Sequence, residues 1–388
     1  MAVHKKKKKS SFSFKKILTI PLFLLNCVAA IGLLLAFLAQ YFPSHWFTFS
    51  AFCGLGFIYI LAVNAAFVIL WLPLKYQYAL ISLSLILLNV GNIDKHFQLK
   101  GTEKPPNCVN CIKVMTYNVK LFGLYDTENQ KLRQKKKNTI LGFIKEEQPD
   151  IVCFQEYFYD KTGKLNFNTT DTLLSILKLK SKNYHFEYFT AEREGLFFGL
   201  ATFSKNKIIG NGIVEMPDSS VIATYIDFKH KNDTVRVYNC HLASVHFDYE
   251  DYEIGKQLKI NAVNDPKWQK KASILYDKLQ IAFHIRSKQS KILKQHIKNS
   301  PHFVIVCGDL NDSPASFAYN KVAHHLKDSF RESGKGMGET YLGDIFPKYR
   351  IDYILHDKAY KSYGHTVGTD ITISDHYPVF TWISLYRN

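Results

Sequence analysis

The chain has 388 residues, with 50 Lys and Arg against 33 Asp and Glu, a formal charge of +17, and 47% hydrophobic residues. The excess is uneven: residues 1–100 hold ten lysines, no arginine and one aspartate, so +9 lies there and +8 is spread over the other 288 residues. The basicity therefore belongs largely to a tail, and it does not argue for a nucleic-acid groove in the globular part.

Residues 1–16 form a basic tail containing Lys5 to Lys9, Lys15 and Lys16. Residues 17–39 follow without a charge for 23 positions, long enough to span a bilayer. A second apolar run covers residues 47–72, and a third, residues 76–93, carries Gln77, Asn89 and Asn92. This length, with no small-x-small cleavage pattern, argues against a cleaved signal peptide. Lysines stay on the cytoplasmic side, so the tail and the Lys75 turn are expected there, whereas the loop 41–46 has no Lys or Arg. Three spans place everything after Asp94 on the non-cytoplasmic, periplasmic or extracellular face; two spans place it in the cytoplasm. Three is the expectation adopted. Tyr41, Trp46, Trp71 and Tyr76 sit where interfacial aromatics belong.

Residues 94–111 read as a polar linker with Pro105-Pro106 and a CxxC pair, Cys108 and Cys111. Without a second CxxC or a downstream His pair at finger spacing, zinc is disfavoured, leaving a local disulfide or two free thiols. Residues 112–388 then suffice for one large domain burying roughly three quarters of its unfolded surface.

Within that domain, residues 113–119 alternate as a strand ending near Asn118, and 138–147 have helical spacing closed by Pro149. Residues 150–156 form a buried strand delivering Glu156 at its end. A capped helix is expected over 171–179, and strands over 196–203 and 221–228. Residues 235–241 form another strand with Val235, Val237, Asn239 and His241 on one face; a lone histidine there is more often a satisfied core residue. Residues 268–297 make an amphipathic helix with a break allowed, its lysines a solvated face. An apolar run then enters Gly308-Asp309-Leu310-Asn311. On an extended backbone Asp309 and Asn311 point the same way, although an ordinary strand-to-turn exit uses the same residues. Residues 350–355 and 373–380 add Asp352, Asp375 and His376. Strands interspersed with helices give an α/β domain.

The strand ends thus offer Asn118, Glu156, His241, Asp309, Asn311, Asp352, Asp375 and His376. Oxygen donors without clustered thiolates suit Mg²⁺ or Mn²⁺. Two histidines add groups that titrate near neutral pH and can take or give a proton. Phosphoester hydrolysis needs these components: charge stabilisation at phosphorus, deprotonation of water, and neutralisation of the departing oxygen.

Thr116-Tyr117-Asn118, Phe154-Gln155-Glu156, Asn239-Cys240-His241-Leu242, Gly308-Asp309-Leu310-Asn311, Arg350-Ile351-Asp352-Tyr353 and Ser374-Asp375-His376 resemble, in order, the motifs of the endonuclease/exonuclease/phosphatase superfamily, the DNase I-like fold. The resemblance spans residues 112–386. It implies a four-layer sandwich, two mixed β-sheets packed face to face with helices outside, with the active site at one end. It also implies that Glu156 binds the metal with Asn118 close by, and that Asp309 and Asn311 orient the water and the phosphate. His376, held by Asp352, would be the general base or a phosphate-polarising group. Asp375 would lie on the metal side, and His241 would donate to the phosphate or leaving oxygen.

The chain departs from some branches of that superfamily. Histidine at 241 replaces the tyrosine of the abasic-site repair branch, and Cys307 and Tyr349-Arg350-Ile351-Asp352 replace the tryptophan-bearing segments of the inositol polyphosphate phosphatases. His241 calls for a carboxylate partner, with Glu192 and Glu194 as candidates. The resemblance implies a metal-dependent phosphodiesterase acting on nucleic acid or phospholipid, and tethering to the bilayer favours the lipid. A membrane-tethered binding protein that retains the fold without activity is the alternative.

Overall fold

The computed structural model describes residues 14–105, 108, 110–180, 183–193, 195–231, 233–245, 266–343 and 348–386. Lys5 to Lys9, Pro106 and Glu194 lie outside them.

The N-terminal region consists of α1 (Phe14–Ala39), α2 (Thr48–Leu55), α3 (Phe57–Leu88) and α4 (Val90–His96). The apolar run 47–72, expected to be one span, is divided at Gly56, whose amide closes α2 on Phe52 O before α3 begins. Helix α3 is not straight. Pro73 removes a backbone donor and Lys75 takes φ −154, ψ 84, which turns the helix back on itself. A straight helix would hold Asn64 and Ser82 ~27 Å apart, yet Ser82 Oγ lies 2.9 Å from Asn64 Oδ1 and 2.8 Å from Asn26 Oδ1. The second half of α3 runs beside α1, with Tyr78 against Phe23 and Asn89 Nδ2 donating to Leu33 O. This bundle buries polar side chains beside Leu33, Phe57 and Trp71 and turns apolar ones outward. Asn26, Asn64, Ser82, Asn89 and Asn92 are buried, while Ile20, Leu24, Val28, Ile69, Leu72 and Leu80 are exposed.

The rest of the chain forms two six-stranded sheets. One contains β1 (Cys111–Asn118), β2 (Ile151–Asp160), β3 (Tyr184–Arg193), β4 (Leu196–Ser204), β11 (Lys361–Val367) and β12 (Val379–Ser384), in the order β11-β12-β1-β2-β4-β3. The other contains β5 (Ile208–Glu215), β6 (Val221–His230), β7 (Asp233–His241), β8 (Phe303–Asp309), β9 (Leu326–Asp328) and β10 (Asp352–Asp357), in the order β5-β6-β7-β8-β10-β9.

Each sheet has a parallel pair, β1 with β2 and β7 with β8, among antiparallel neighbours. A parallel pair needs a long crossover, supplied by α5 (Gln130–Glu147) in the first sheet and α7 (Pro266–Lys298) in the second. Helix α5 starts earlier than residue 138, because Asn129 caps it by accepting from Leu132 N. Helix α7 is continuous, without the break allowed from sequence.

Strand alternation sorts the side chains into layers. Val114, Ile151, Cys153, Ile226, Val237, Ile305, Cys307 and Ile354 meet between the sheets. Met115, Tyr117, Val152 and Phe154 face outward onto Ile140, Leu141 and Ile144 of α5 and Leu173 of α6 (Thr169–Ile176). On the other side Tyr238, Cys240, Val304 and Val306 pack on Leu293 and Ile297 of α7 and on Tyr319 and Val322 of α8 (Phe317–Val322). The result is a four-layer sandwich. The buried cysteines 153, 240 and 307 are free thiols used as small apolar groups, whereas Cys108 and Cys111 form a disulfide.

Gly308 lets β8 lie close to β7. Its φ is +143, and a Cβ there would stand 2.0 Å from Cys240 O. Gly308→Ala is expected to lower stability by at least about 1–3 kcal/mol through backbone strain alone, measured as a lower melting temperature of the purified chain.

A second prediction concerns α9 (Ser329–Ser333). Burial alone would push the Glu332 carboxyl up, but His356 at 3.1 Å and two hydrogen bonds from Ser362, at 2.6 and 2.7 Å, outweigh it and hold the group down at about 2. A depressed carboxylate contributes stability that is present above its unfolded value and lost as pH falls through its folded value. Glu332→Gln should therefore cost about 1–3 kcal/mol at pH 7. In urea titrations the gap from wild type should close between pH 4.5 and about 2.

Candidate active site

Because β1, β2, β7 and β8 run the same way within their parallel pairs, their C-terminal ends fall together. Asn118 is level with Gln155 in one sheet and His241 with Asp309 in the other. The antiparallel neighbours start at that same end: Asp352 opens β10 opposite Asp309, and His376 precedes β12, whose Val379 pairs with Thr116. Six separated motifs are thereby gathered at one edge of the sandwich.

Asp309 is the centre. Its carboxylate is fully buried; Oδ1 accepts from Asn311 N at 2.7 Å and Oδ2 from Asn118 Nδ2 at 3.2 Å. His241 Nε2 and His376 Nε2 each stand 3.7 Å from Oδ2. Asn118 Nδ2 also donates to Glu156 Oε1 at 3.0 Å, and His241 Nε2 is 3.8 Å from that same oxygen. His376 is oriented by Asp352, whose Oδ2 lies 2.9 Å from Nδ1, and the edge of Tyr341 covers the ring. Burial pushes the Asp309 carboxyl up to about 6. Burial would lower His376, but Asp352 and Asp309 outweigh it and hold the imidazole up at about 10, so the ring is cationic between two carboxylates at neutral pH.

Glu156 reaches the site through a bulge. The β2–β4 register shifts between Phe154 and Tyr157, and Glu156 adopts φ +48, which swings its side chain out of the ladder while leaving it about one-third exposed. Its neighbour Gln155 turns between the sheets, where Nε2 donates to Asn239 Oδ1 at 2.7 Å. Asn239 Nδ2 in turn donates to Phe154 O and Ala201 O. Asn311 departs from expectation: β8 stops at Asp309, Asn311 takes φ +53, and its Nδ2 donates to Leu242 O at 3.0 Å. The strand alternation that would aim it alongside Asp309 ends one residue too soon.

Asp375 is paired with Lys120 at 3.3 Å. The carboxylate partners of His241 are Glu156 and Asp309; Glu194 and the side chain of Glu192 are outside the described residues. Sequence reasoning passed over the groups that hold the site. Thr340 Oγ1 accepts from Asp352 N, and Ser374 Oγ accepts from His376 N while donating to Asn118 O. Ser374, Gln155 and Asn239 stand inside the motifs, so their position beside acids and histidines was the available signal. Lys120, Thr340 and Tyr341 carry none.

Four carboxylates, Glu156, Asp309, Asp352 and Asp375, stand in this group against the cations of Lys120 and His376. An excess of acid groups repels a phosphate unless a cation enters with it. His241 Nε2 and Asp352 Oδ1 are buried without a hydrogen-bond partner among the described residues. Asp309, Asp352 and His376 also offer ligand atoms within 4.8 Å of one another. The donor set fits a hard divalent ion.

A family profile described as the Endonuclease/Exonuclease/phosphatase family matches residues 115–376, and a domain of unknown function (DUF8431) matches residues 15–96. No curated protein sequence matches the chain. Among solved structures, an endonuclease/exonuclease/phosphatase of Beutenbergia cavernae is similar over 72% of each chain, at 17% identity and a TM-score of 0.49. A family protein from Bacteroides thetaiotaomicron is similar over 70% of this chain and 97% of its own, at 16% identity and a TM-score of 0.48. Humanized D. rerio TDP2 is similar over 71% and 99%, at 17% identity and a TM-score of 0.44. With the family profile matching residues 115–376, more than half of the chain, the chain belongs to the endonuclease/exonuclease/phosphatase family.

Proposed function

We propose that the chain is a membrane-anchored, divalent-metal-dependent phosphoester hydrolase whose catalytic domain lies on the non-cytoplasmic side. The convergence of Glu156, two imidazoles and two amides on the buried Asp309 carboxylate carries this reading. Glu156 and Asn118 would hold Mg²⁺ or Mn²⁺, which when bound supplies Lewis-acid polarisation of the phosphoryl group and offsets the excess of acid groups. Asp309, fixed by Asn311 N and Asn118 Nδ2, is placed to take the proton from an attacking water. His376, its ring oriented by Asp352, holds a phosphoryl oxygen, and His241 gives a proton to the leaving oxygen.

The bundle supports the membrane reading. Thr19–Ala39 and Phe57–Leu88 are long and apolar enough to cross a bilayer. Buried amides beneath an exposed apolar surface are what a lipid solvent favours. Lys75 marks one end of the bundle. The loop 41–46, without Lys or Arg, lies at the other end, where Ser44 meets Ser287 of the catalytic domain at 3.2 Å. By the positive-inside preference the domain's end is the outer one. The Cys108–Cys111 disulfide suits an oxidising compartment.

Three measurements follow. His376→Ala should reduce cleavage of bis(p-nitrophenyl) phosphate about 10²- to 10⁴-fold, and Glu156→Gln should abolish Mn²⁺ binding seen by calorimetry; unchanged values would overturn the site assignment. Alkaline phosphatase fused after Lys100 should be active and fused at Lys75 inactive, whereas the reverse pattern excludes an outer catalytic domain.

A further inference from the structure

The loops that carry catalytic groups also rest on the helical bundle. After Asp309 and Asn311, Ser313 Oγ donates to Gly54 O at 3.1 Å, and Ala315 is buried among Leu33, Ala36, Cys53 and Phe57. Asn311 and Ser313 are separated by at most about 7 Å of chain. Before Asp352, Arg350 Nη2 donates to Lys95 O at 2.8 Å, while Lys95 Nζ reaches Asn320 Oδ1 at 2.8 Å and Gln40 Oε1 at 2.9 Å. After His241, Ala243 is gripped by Arg286 and Gln289 of α7. Arg286 also pairs with Asp312 at 3.3 Å. The catalytic end of the sandwich is therefore the end seated on the bundle.

The surface around this seam is apolar. Tyr41, Phe42, Trp46, Phe47 and Phe49 are exposed at the bundle's domain end, Trp46 by 71%. Helix α7 continues the belt: Phe52 of α2 stacks on Tyr276 at 4.9 Å, and Ile274, Ile281 and Ile285 are exposed. Exposed apolar side chains on a lysine-rich helix, beside an aromatic belt, describe a helix lying in the bilayer interface.

We infer that the active site opens onto the outer leaflet and that its substrate is the phosphoester of a lipid headgroup in the same membrane. This rests on the hydrolase reading and extends it. A nucleic-acid strand needs an open, basic face along which phosphates can be neutralised; among the described residues, this end holds the bundle, the apolar belt and four carboxylates. In the reaction water adds to phosphorus, the phosphorus–oxygen bond to the leaving group breaks, the water proton passes to Asp309, and the leaving oxygen takes a proton from His241. No oxidant or reductant is involved.

The test uses the full chain in proteoliposomes of phosphatidylcholine, phosphatidylethanolamine, phosphatidylglycerol and sphingomyelin with Mg²⁺. Headgroup release is measured by mass spectrometry, alongside cleavage of bis(p-nitrophenyl) phosphate and of a single-stranded oligonucleotide. The inference predicts that at least one lipid is cleaved faster than the oligonucleotide. Replacing both Ile274→Asp and Ile281→Asp should slow lipid cleavage at least about tenfold, since each removes apolar area from the interface, with bis(p-nitrophenyl) phosphate cleavage retained. Cleavage of the small diester and the oligonucleotide without any lipid product overturns the lipid inference and leaves the hydrolase standing. Lipid cleavage insensitive to the α7 double variant overturns the interfacial placement. No cleavage of any of the three defeats the hydrolase reading itself.

Discussion

A carboxylate with no solvent exposure needs partners, and Asp309 finds them on separate strand ends: Asn118 from β1, His241 from β7, His376 ahead of β12, and its own downstream amide at Asn311. Leaving such a charge unpaired would cost several kcal/mol, so the sandwich holds its four layers with these ends in register. The same requirement makes the site rigid. The Gln155–Asn239 amide pair bridges one sheet to the other directly beneath it, so neither sheet can slide without breaking buried hydrogen bonds.

Two local strains finish the geometry. Glu156 and Asn311 both sit at positive φ, the first after a bulge and the second after a strand terminus. Strained backbone at a site is kept when the surroundings over-determine it. Here the Asn118–Glu156 and Asn311–Leu242 hydrogen bonds do so.

The α/β class and the strands that end at this edge were legible in the sequence, because each motif couples an apolar strand to a polar terminus and the motifs keep their order. What was not legible depends on backbone state or on distant pairing. Nothing local marks Glu156 or Asn311 as left-handed. Strands such as Ile208–Glu215 are half exposed at a sheet edge and lack a continuous apolar run. The second apolar run read as one span because hydropathy does not register the break at Gly56, where α2 instead lies against the catalytic domain. The fold-back at Lys75 was anticipated from charge, and Pro73 gives it a backbone cause. Residues 94–111 read as a polar linker, and within them Lys95 and Gln98 are bound to the domain, through Asn320 and Gly336.

On the proposed reading, anchoring and catalysis are built from adjoining stretches of chain: the turn that leaves Asp309 is the one that seats the bundle. The most direct measurement is the rate of Mg²⁺-supported bis(p-nitrophenyl) phosphate hydrolysis by the intact chain carrying Asp309→Asn, recorded with its melting temperature. The account predicts a loss of about 10²- to 10⁴-fold with the fold retained. A rate equal to wild type in a folded variant would contradict it.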